Sequence, residues 1–88
     1  MSFHLDFTEK AIEDITSHKK SGNKAVLKKL LILLAELAEH PFTGTGKPEA
    51  LKHQLSGMWS RRINHEHRLV YEVDGNIVFI ISAKGHYK

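Results

Sequence analysis

The feature that most constrains the fold of this chain is a leucine-rich stretch at residues 24–39. Wound as an α-helix, it carries its apolar side chains on one broad arc and its lysines and glutamates on the other side. An arc this wide predicts a helix that is buried against both a sheet and a second helix. The arc consists of Val26, Leu27, Leu30, Leu31, Leu33, Leu34, Leu37 and Ala38.

One apolar residue, Ile32, lies among the charged residues of this helix. It leaves two interpretations open. Ile32 marks a surface that contacts a partner, or it is one of the isolated exposed apolar residues that are common on soluble proteins.

The elements before the leucine-rich helix are a strand and a further helix. Residues 3–7 alternate between apolar and polar side chains, which predicts a half-buried strand. Thr8 is a favourable N-cap for the helix that follows. The sequence Ser-Gly-Asn at 21–23 ends that helix and caps the next, so the two helices form an antiparallel hairpin that ends before Pro41.

The second half of the chain reads as a loop followed by strands. The loop covers 41–52, with a turn of helix predicted at 49–52. Strands are predicted at 58–64, 67–73 and 77–82, and a short strand near 53–55 is left open. These elements predict one α+β domain over residues 1–88, with two N-terminal helices packed on one face of a mainly antiparallel four- to five-stranded sheet.

Composition restricts the classes of function. The chain has 88 residues and no cysteine, which excludes a disulfide framework, a thiolate metal site and a cysteine nucleophile. Its longest apolar run is far shorter than the ~18 residues of a membrane span. We expect a soluble, cytoplasmic domain without a membrane partner. Residues 1–40 carry six lysines and six acids, whereas 41–88 carry seven basic residues and four acids. All of the net charge of +3 therefore lies in the second half. This distribution indicates either a polyanion partner or ordinary surface charge.

That half also contains a set of residues suited to RNA cleavage. Glu49 follows a loop constrained by glycine and proline, Arg61, Arg62 and Arg68 lie on the predicted central hairpin, and His86 and Tyr87 follow the last strand. Cleavage of RNA by its own 2′-hydroxyl needs a base, an acid and a cation that stabilises the charge on phosphorus. No metal or other cofactor is required. The residue types alone do not place these groups near one another.

Three other interpretations of the basic half stay open. His53, His65 and His67 suggest a metal site, although the spacing specifies no third converging ligand, and polar turn residues are commoner. Trp59 and Tyr71 are candidates for stacking on bases or for the core. A regulator that binds DNA is disfavoured because no helix carries the arginines.

From Pro41 onward the chain resembles a known family. The string PFTGTGKPEALK at 41–52 leads to LSGMWSRRIN at 55–64 and EHRLVY at 66–71, and His-Tyr follows at 86–87. These ordered strings are similar to those of the YoeB toxins of bacterial toxin–antitoxin modules, within the RelE-like superfamily. The resemblance covers about half of the chain and is specific, because long strings recur at the same spacing.

The resemblance implies a microbial-RNase fold and a ribosome-dependent mRNA endoribonuclease that inhibits translation. It also implies neutralisation by a cognate, YefM-like antitoxin, and frequent homodimerisation. In this reading the partners are the ribosome and its mRNA. A non-catalytic inhibitor that binds the ribosome or RNA is the alternative.

Carried over by position, the family pattern assigns a role to each matching residue. Glu49 would be the general base, Arg68 would stabilise the transition state, His86 would be the general acid, and Tyr87 would orient the substrate or stack on it. The basic residues expected to bind mRNA or ribosomal RNA are Lys47, Lys52, Arg61 and Arg62.

Overall fold

The predicted helical hairpin is present in the computed structural model, which describes residues 2–51 and 57–85. Helix α1 spans Glu9–Ser21 and helix α2 spans Lys24–Leu37. The Thr8 hydroxyl accepts a hydrogen bond from the third residue of α1, and the Asn23 side chain caps α2 in the same way, both at 3.1 Å. Gly22 takes the left-handed conformation between them, with φ of 73°. The capping predicted for both helices is confirmed.

Helix α2 is shorter than the sequence predicted, and its buried side is narrower than the predicted apolar arc. It ends at Leu37 rather than at residue 39, and its buried residues recur every three or four positions. Leu31, expected on the buried arc, is 66 % exposed, because the helix faces the core with one side only. Ile32 is also exposed. The buried residues of α2 are Val26, Leu30, Leu33 and Leu37.

Within residues 2–51 and 57–85 the sheet has five strands, which is the upper number of the four to five predicted. Its strands are β1 (His4–Phe7), β2 (Glu49–Ala50), β3 (Met58–Arg62), β4 (Arg68–Asp74) and β5 (Ile77–Ser82). The spatial order is β1-β5-β4-β3-β2, with β1 parallel to β5 and the other pairs antiparallel. Both helices contribute to a core with the strand residues Leu69, Tyr71, Val78 and Ile80, so they cover one face of the sheet. The predicted fold class is confirmed.

The edge strand β2 replaces the turn of helix that was predicted at 49–52. Glu49 lies opposite Ser60 and Ala50 lies opposite Trp59, while the Leu51 N–H donates to the carbonyl of Met58 at 2.9 Å. The helical prediction is therefore wrong for this segment, because pairing with β3 satisfies backbone groups that a single isolated turn would leave to water. The strand that was left open near 53–55 lies outside the described residues.

The hairpin between β3 and β4 has a longer turn than the two-residue link suggested by the sequence. Arg62 lies opposite Arg68, so five residues connect the strands. The Asn64 side chain accepts hydrogen bonds from the backbone N–H groups of Glu66 and His67, at 2.8 and 2.7 Å. This asparagine-centred turn fixes the register and thereby brings Arg62 and Arg68 to the same face of the sheet.

A buried arginine holds the loop between α2 and β2. The Arg61 side chain has no exposed surface, and its five N–H donors have five acceptors. Three of these are backbone carbonyls of the loop, at residues 40, 43 and 45. The other two are the Tyr71 hydroxyl at 3.2 Å and Glu36 at 3.1 Å. Tyr71 in turn donates to the carbonyl of Pro41 at 2.7 Å, so four loop carbonyls are held by two side chains.

The partners of Glu36 also keep it charged. Hydrogen bonds from Thr45, the Arg61 charge and a hydrogen bond from Arg61 hold the pKa of Glu36 below its ordinary value of 4.5, against a smaller opposing effect of burial. A lowered carboxyl pKa contributes stability above the unfolded pKa, and this contribution is lost as pH falls through the folded pKa. The loop is therefore held at neutral pH and loosened by acid. Burial raises the pKa of Tyr71, partly offset by Arg61, which keeps its hydroxyl a donor.

Gly46 lets the loop approach β3 closely. Its carbonyl accepts a hydrogen bond from the Arg62 N–H at 2.7 Å, and a Cβ at this position would lie 2.8 Å from the Arg62 carbonyl oxygen. Its φ of 84° is also unfavourable for other residues. Lys47 follows with a φ of 52°, so the chain turns sharply just before β2.

We predict that Arg61→Met destabilises the protein far more than Arg62→Met. Methionine keeps most of the apolar stem but leaves the loop carbonyls without donors, at a cost of about 3–5 kcal/mol in the free energy of unfolding. Arg62 is exposed on the other face of β3, and its substitution should cost no more than about 0.5 kcal/mol. Urea unfolding of both variants gives the comparison. Equal stability of the two would contradict the structural role of Arg61.

Candidate functional site

The candidate site lies on the sheet face that the helices leave uncovered. Residues directly opposite one another in a sheet share a face. Glu49 is opposite Ser60, and Arg62, two residues further along β3, is opposite Arg68. These four side chains therefore lie on one face of three neighbouring strands, while the intervening Arg61 points to the helices.

Arg68 extends from β4 toward β3 and the carboxylate on β2. Its Nη1 donates to the Ser60 hydroxyl at 3.3 Å. Ser60 has no exposed surface and is the direct neighbour of Glu49 across the β2–β3 pair. The Ser60 hydroxyl thus holds the Arg68 guanidinium against β3, the strand that pairs with β2 and its carboxylate, Glu49. Ser60 was not among the residues predicted from the sequence. It could have been found from its position two residues before Arg62, because residues two apart on a strand share a face.

Glu49 is exposed and stands at the edge of the sheet. The loop held by Arg61 and the close approach of Gly46 to Arg62 fix the position at which β2 begins. A carboxylate placed on a strand is held more firmly than one on a free loop, and its solvent exposure leaves it accessible to a substrate. This arrangement fits the role of a general base.

A basic depression lies beside this face. Its charged lining residues are Lys29 from α2, Lys47 from the loop and Arg62 from β3, with Gly46, Ile63 and Asn64 between them. The lining contains three cations and no acid. Such a surface favours phosphate groups. The sequence predicted Lys47 and Arg62 as RNA contacts but not Lys29, because Lys29 belongs to the helical half, whose net charge is zero.

Burial corrects one sequence prediction and decides between two interpretations of another residue. Arg61 was predicted to bind RNA, yet its guanidinium is fully enclosed and bonded to the loop, so it has a structural role. Tyr71 was a candidate either for stacking on bases or for the core, and it is fully buried in the core. Trp59 packs against the core as well and contacts the Phe42 ring, with centroids 5.1 Å apart.

A metal site was one interpretation of His53, His65 and His67. Among residues 2–51 and 57–85, no three His, Cys, Asp or Glu side chains are grouped so as to hold a metal ion. His53, one of the three histidines considered, lies outside that part of the chain. So do three predicted site residues, Lys52, His86 and Tyr87.

The described chain nevertheless reaches the residue before His86. The N–H of Arg68 donates to the carbonyl of Gly85 at 3.0 Å, which continues the contact between β4 and the C-terminal segment beyond β5. The main chain of Gly85, the last described residue, is therefore attached to the main chain of Arg68.

Solved structures with the same architecture define the class of protein. The structure described as the YoeB dimer from Staphylococcus aureus has a TM-score of 0.86 and 43 % sequence identity, covering 99 % of this chain and 100 % of that one. The YoeB–YefM complex from the same organism gives 0.84 and 44 %, with the same coverage. The fold is that of the small RelE-like toxins.

The sequence comparisons give the family. The model of the family described as "YoeB-like toxin of bacterial type II toxin-antitoxin system" matches residues 7–87. Toxin YoeB of Synechocystis is 46 % identical over 84 residues, which is 96 % of each chain. This chain belongs to the YoeB-like toxins of type II toxin–antitoxin systems. In the described part of the chain no helix is long and apolar enough to cross a membrane.

Proposed function

We propose that this toxin is a metal-independent endoribonuclease that cuts mRNA on the ribosome and so inhibits translation. The observation that carries the proposal is the shared face of Glu49, Ser60, Arg62 and Arg68, with Arg68 bonded to the main chain just before His86. Membership of a toxin family supports it. The face combines a carboxylate with fixed cations, and the family resemblance adds His86 as the acid; these are the groups that cleavage by the 2′-hydroxyl requires.

In the proposed reaction Glu49 removes the proton of the 2′-hydroxyl. The 2′-oxygen attacks the adjacent phosphorus while the bond from phosphorus to the 5′-oxygen breaks. His86 gives a proton to the departing 5′-oxygen, and Arg68 stabilises the negative charge that develops on the phosphate oxygens. The products are a 2′,3′-cyclic phosphate and a 5′-hydroxyl, so protons and bonds balance without an external reagent.

The other predicted residues bind and orient the substrate. Tyr87 orients the reacting nucleotide or stacks on its base. Lys47, Lys52 and Arg62 bind phosphates of mRNA or ribosomal RNA. Lys29 lines the same depression as Lys47 and Arg62 and adds a third cation there. The uncovered sheet face offers binding groups without enclosing a substrate. We infer that the ribosome supplies the missing positioning by presenting the mRNA in its decoding site.

A second candidate is an inhibitor that binds the ribosome without cutting the message. The basic depression favours it, because three cations suffice for binding and need no acid or base. The two candidates differ in the need for Glu49 and His86, which a binding inhibitor would not use.

The proposed partners follow from the family. We propose a YefM-like antitoxin that neutralises the toxin, as the YoeB–YefM complex from Staphylococcus aureus suggests, and a homodimer like that of the YoeB from the same organism. Ile12, Leu31 and Ile32 are exposed apolar residues on the helices and are candidate contacts for such partners. The site of action, the ribosome, implies a cytoplasmic location.

We predict that Glu49→Gln and His86→Gln each lower the rate of mRNA cleavage on programmed ribosomes by at least about 10²-fold, the usual effect of losing an acid or base. Ribosome binding should persist, because the lysines and the arginine proposed to bind phosphate, Lys47, Lys52 and Arg62, are unchanged in both variants. Cleavage is followed by primer extension, and binding by co-sedimentation with ribosomes.

Glu13→Gln is the control for this comparison, since Glu13 is an exposed carboxylate on α1 away from the sheet face. It should cleave like the unaltered protein. If Glu49→Gln and His86→Gln inhibit translation as strongly as the unaltered protein, the binding inhibitor is the better account.

We predict that affinity for ribosomes falls as salt rises, and that Lys47→Ala and Arg62→Ala each make this fall less steep. Loss of one phosphate contact should reduce the slope of log K against log salt by about 0.7 for single-stranded RNA. Lys19→Ala, at an exposed lysine of α1, should leave the slope unchanged. Equal slopes in all four proteins would contradict the phosphate-binding role of the depression.

A further inference from the structure

The segment after β5 is held to α1 by two buried side chains. The Ala83 N–H donates to Asp14 Oδ2 at 2.9 Å, and His18 Nε2 donates to the Ala83 carbonyl at 2.8 Å. Asp14 and His18 are only 5 % and 4 % exposed. Lys10 donates to both oxygens of Asp14, at 2.9 and 3.1 Å, and keeps the carboxylate paired. Both polar groups of Ala83 are thus fixed by one helix.

Two residues further on, Gly85 is fixed in the same way by the start of β4. Its N–H donates to His67 Nδ1 at 2.9 Å, and its carbonyl accepts from the Arg68 N–H at 3.0 Å. Since a backbone N–H is the donor, Nδ1 of His67 is unprotonated. The imidazole takes the place of a strand carbonyl. It continues the pairing of the two segments where Gly85 leaves ordinary strand geometry with a φ of 76°.

The two attachments contact each other. The rings of His18 and His67 meet edge to face, with centroids 4.7 Å apart and an angle of 72°. Helix α1 and the β3–β4 turn are thereby joined around the segment from Ala83 to Gly85. Four main-chain hydrogen-bonding groups of this short segment are satisfied, three of them by side chains.

We propose that His67 is a positioning residue for His86, acting through the N–H of Gly85. The proposal rests on the function proposed above. The bond from the Arg68 N–H fixes the carbonyl of Gly85, and the bond to His67 fixes its N–H. Together the two bonds restrict rotation about Gly85, the residue from which the chain continues to the proposed acid His86.

This role predicts a loss of catalytic rate without a loss of binding. A displacement of about 1 Å in a catalytic group can cost about 10²-fold in rate. His67 itself belongs to the β3–β4 turn and acts on the main chain, not on the RNA. An effect on the chemical step with unchanged affinity for programmed ribosomes is therefore the expected signature.

The test compares three substitutions at His67 by single-turnover cleavage on programmed ribosomes. Asparagine places an acceptor oxygen close to the position of Nδ1, whereas glutamine places its amide near Nε2, and alanine has no acceptor. We expect His67→Ala and His67→Gln to lower kcat by about 10- to 100-fold with KM within about twofold, and His67→Asn to recover most of the rate. His4→Ala, at an exposed histidine on β1, is the control and should be unchanged.

A second measurement tests the hydrogen bond between Gly85 and His67 and does not depend on RNA cleavage. Amide hydrogen exchange of Gly85, followed by NMR, should be slow in the unaltered protein and in His67→Asn, and should become faster in His67→Ala. Exchange in the centre of β4 should stay slow in all of them, which separates a local effect from unfolding.

Several results would overturn the proposal. A His67→Ala protein that cleaves at the normal rate, or one whose Gly85 exchange is unchanged, removes the positioning role and leaves the proposed nuclease intact. Equal losses in His67→Ala and His67→Asn, or a rise in KM alone, would also overturn it. If the unaltered protein leaves the mRNA whole, the proposed function fails first and the positioning role fails with it.

Discussion

The buried guanidinium of Arg61 is the interaction on which the arrangement of this protein depends. It gathers the carbonyls at 40, 43 and 45, pairs with Glu36 and donates to Tyr71, which holds a fourth carbonyl. A cation is costly to bury, and this one is acceptable because every donor has a partner. The result is a loop without regular structure that nevertheless has a defined course. That course places Gly46 against Arg62 and begins the strand that carries Glu49.

Adjacent arginines on β3 have opposite roles because side chains alternate along a strand. Arg61 points to the helices and organises the loop, whereas Arg62 points to the uncovered face beside Lys47 and Lys29. The same alternation brings Ser60 under Arg68 and next to Glu49. One short strand therefore links the stability of the fold to the geometry of the site. Exchanging the two faces, by a shift of one residue, would bury the wrong arginine.

Much of this arrangement could be predicted from the sequence, and the misses have physical causes. The caps at Thr8 and Asn23 are local signals, and they were predicted correctly. The strand at Glu49 was wrongly predicted as a helical turn. Its stabilising partner, β3, lies about ten residues away along the chain, so no local pattern indicates the pairing. The burial of Arg61 depends on five acceptors from separate segments, which no local pattern reports. The places of Ser60 and Lys29 beside the site were missed for the same reason, since they arise from strand register and from packing between elements.

We propose that the uncovered face of this toxin cuts RNA by attack of the 2′-hydroxyl. The most direct measurement is to incubate the purified protein with ribosomes carrying a defined mRNA and to determine the chemistry of both new ends by mass spectrometry. We predict a cut within the codon in the decoding site, with a 2′,3′-cyclic phosphate on the upstream fragment and a 5′-hydroxyl on the downstream fragment. Intact mRNA, or a 5′-phosphate at the cut, would contradict the account.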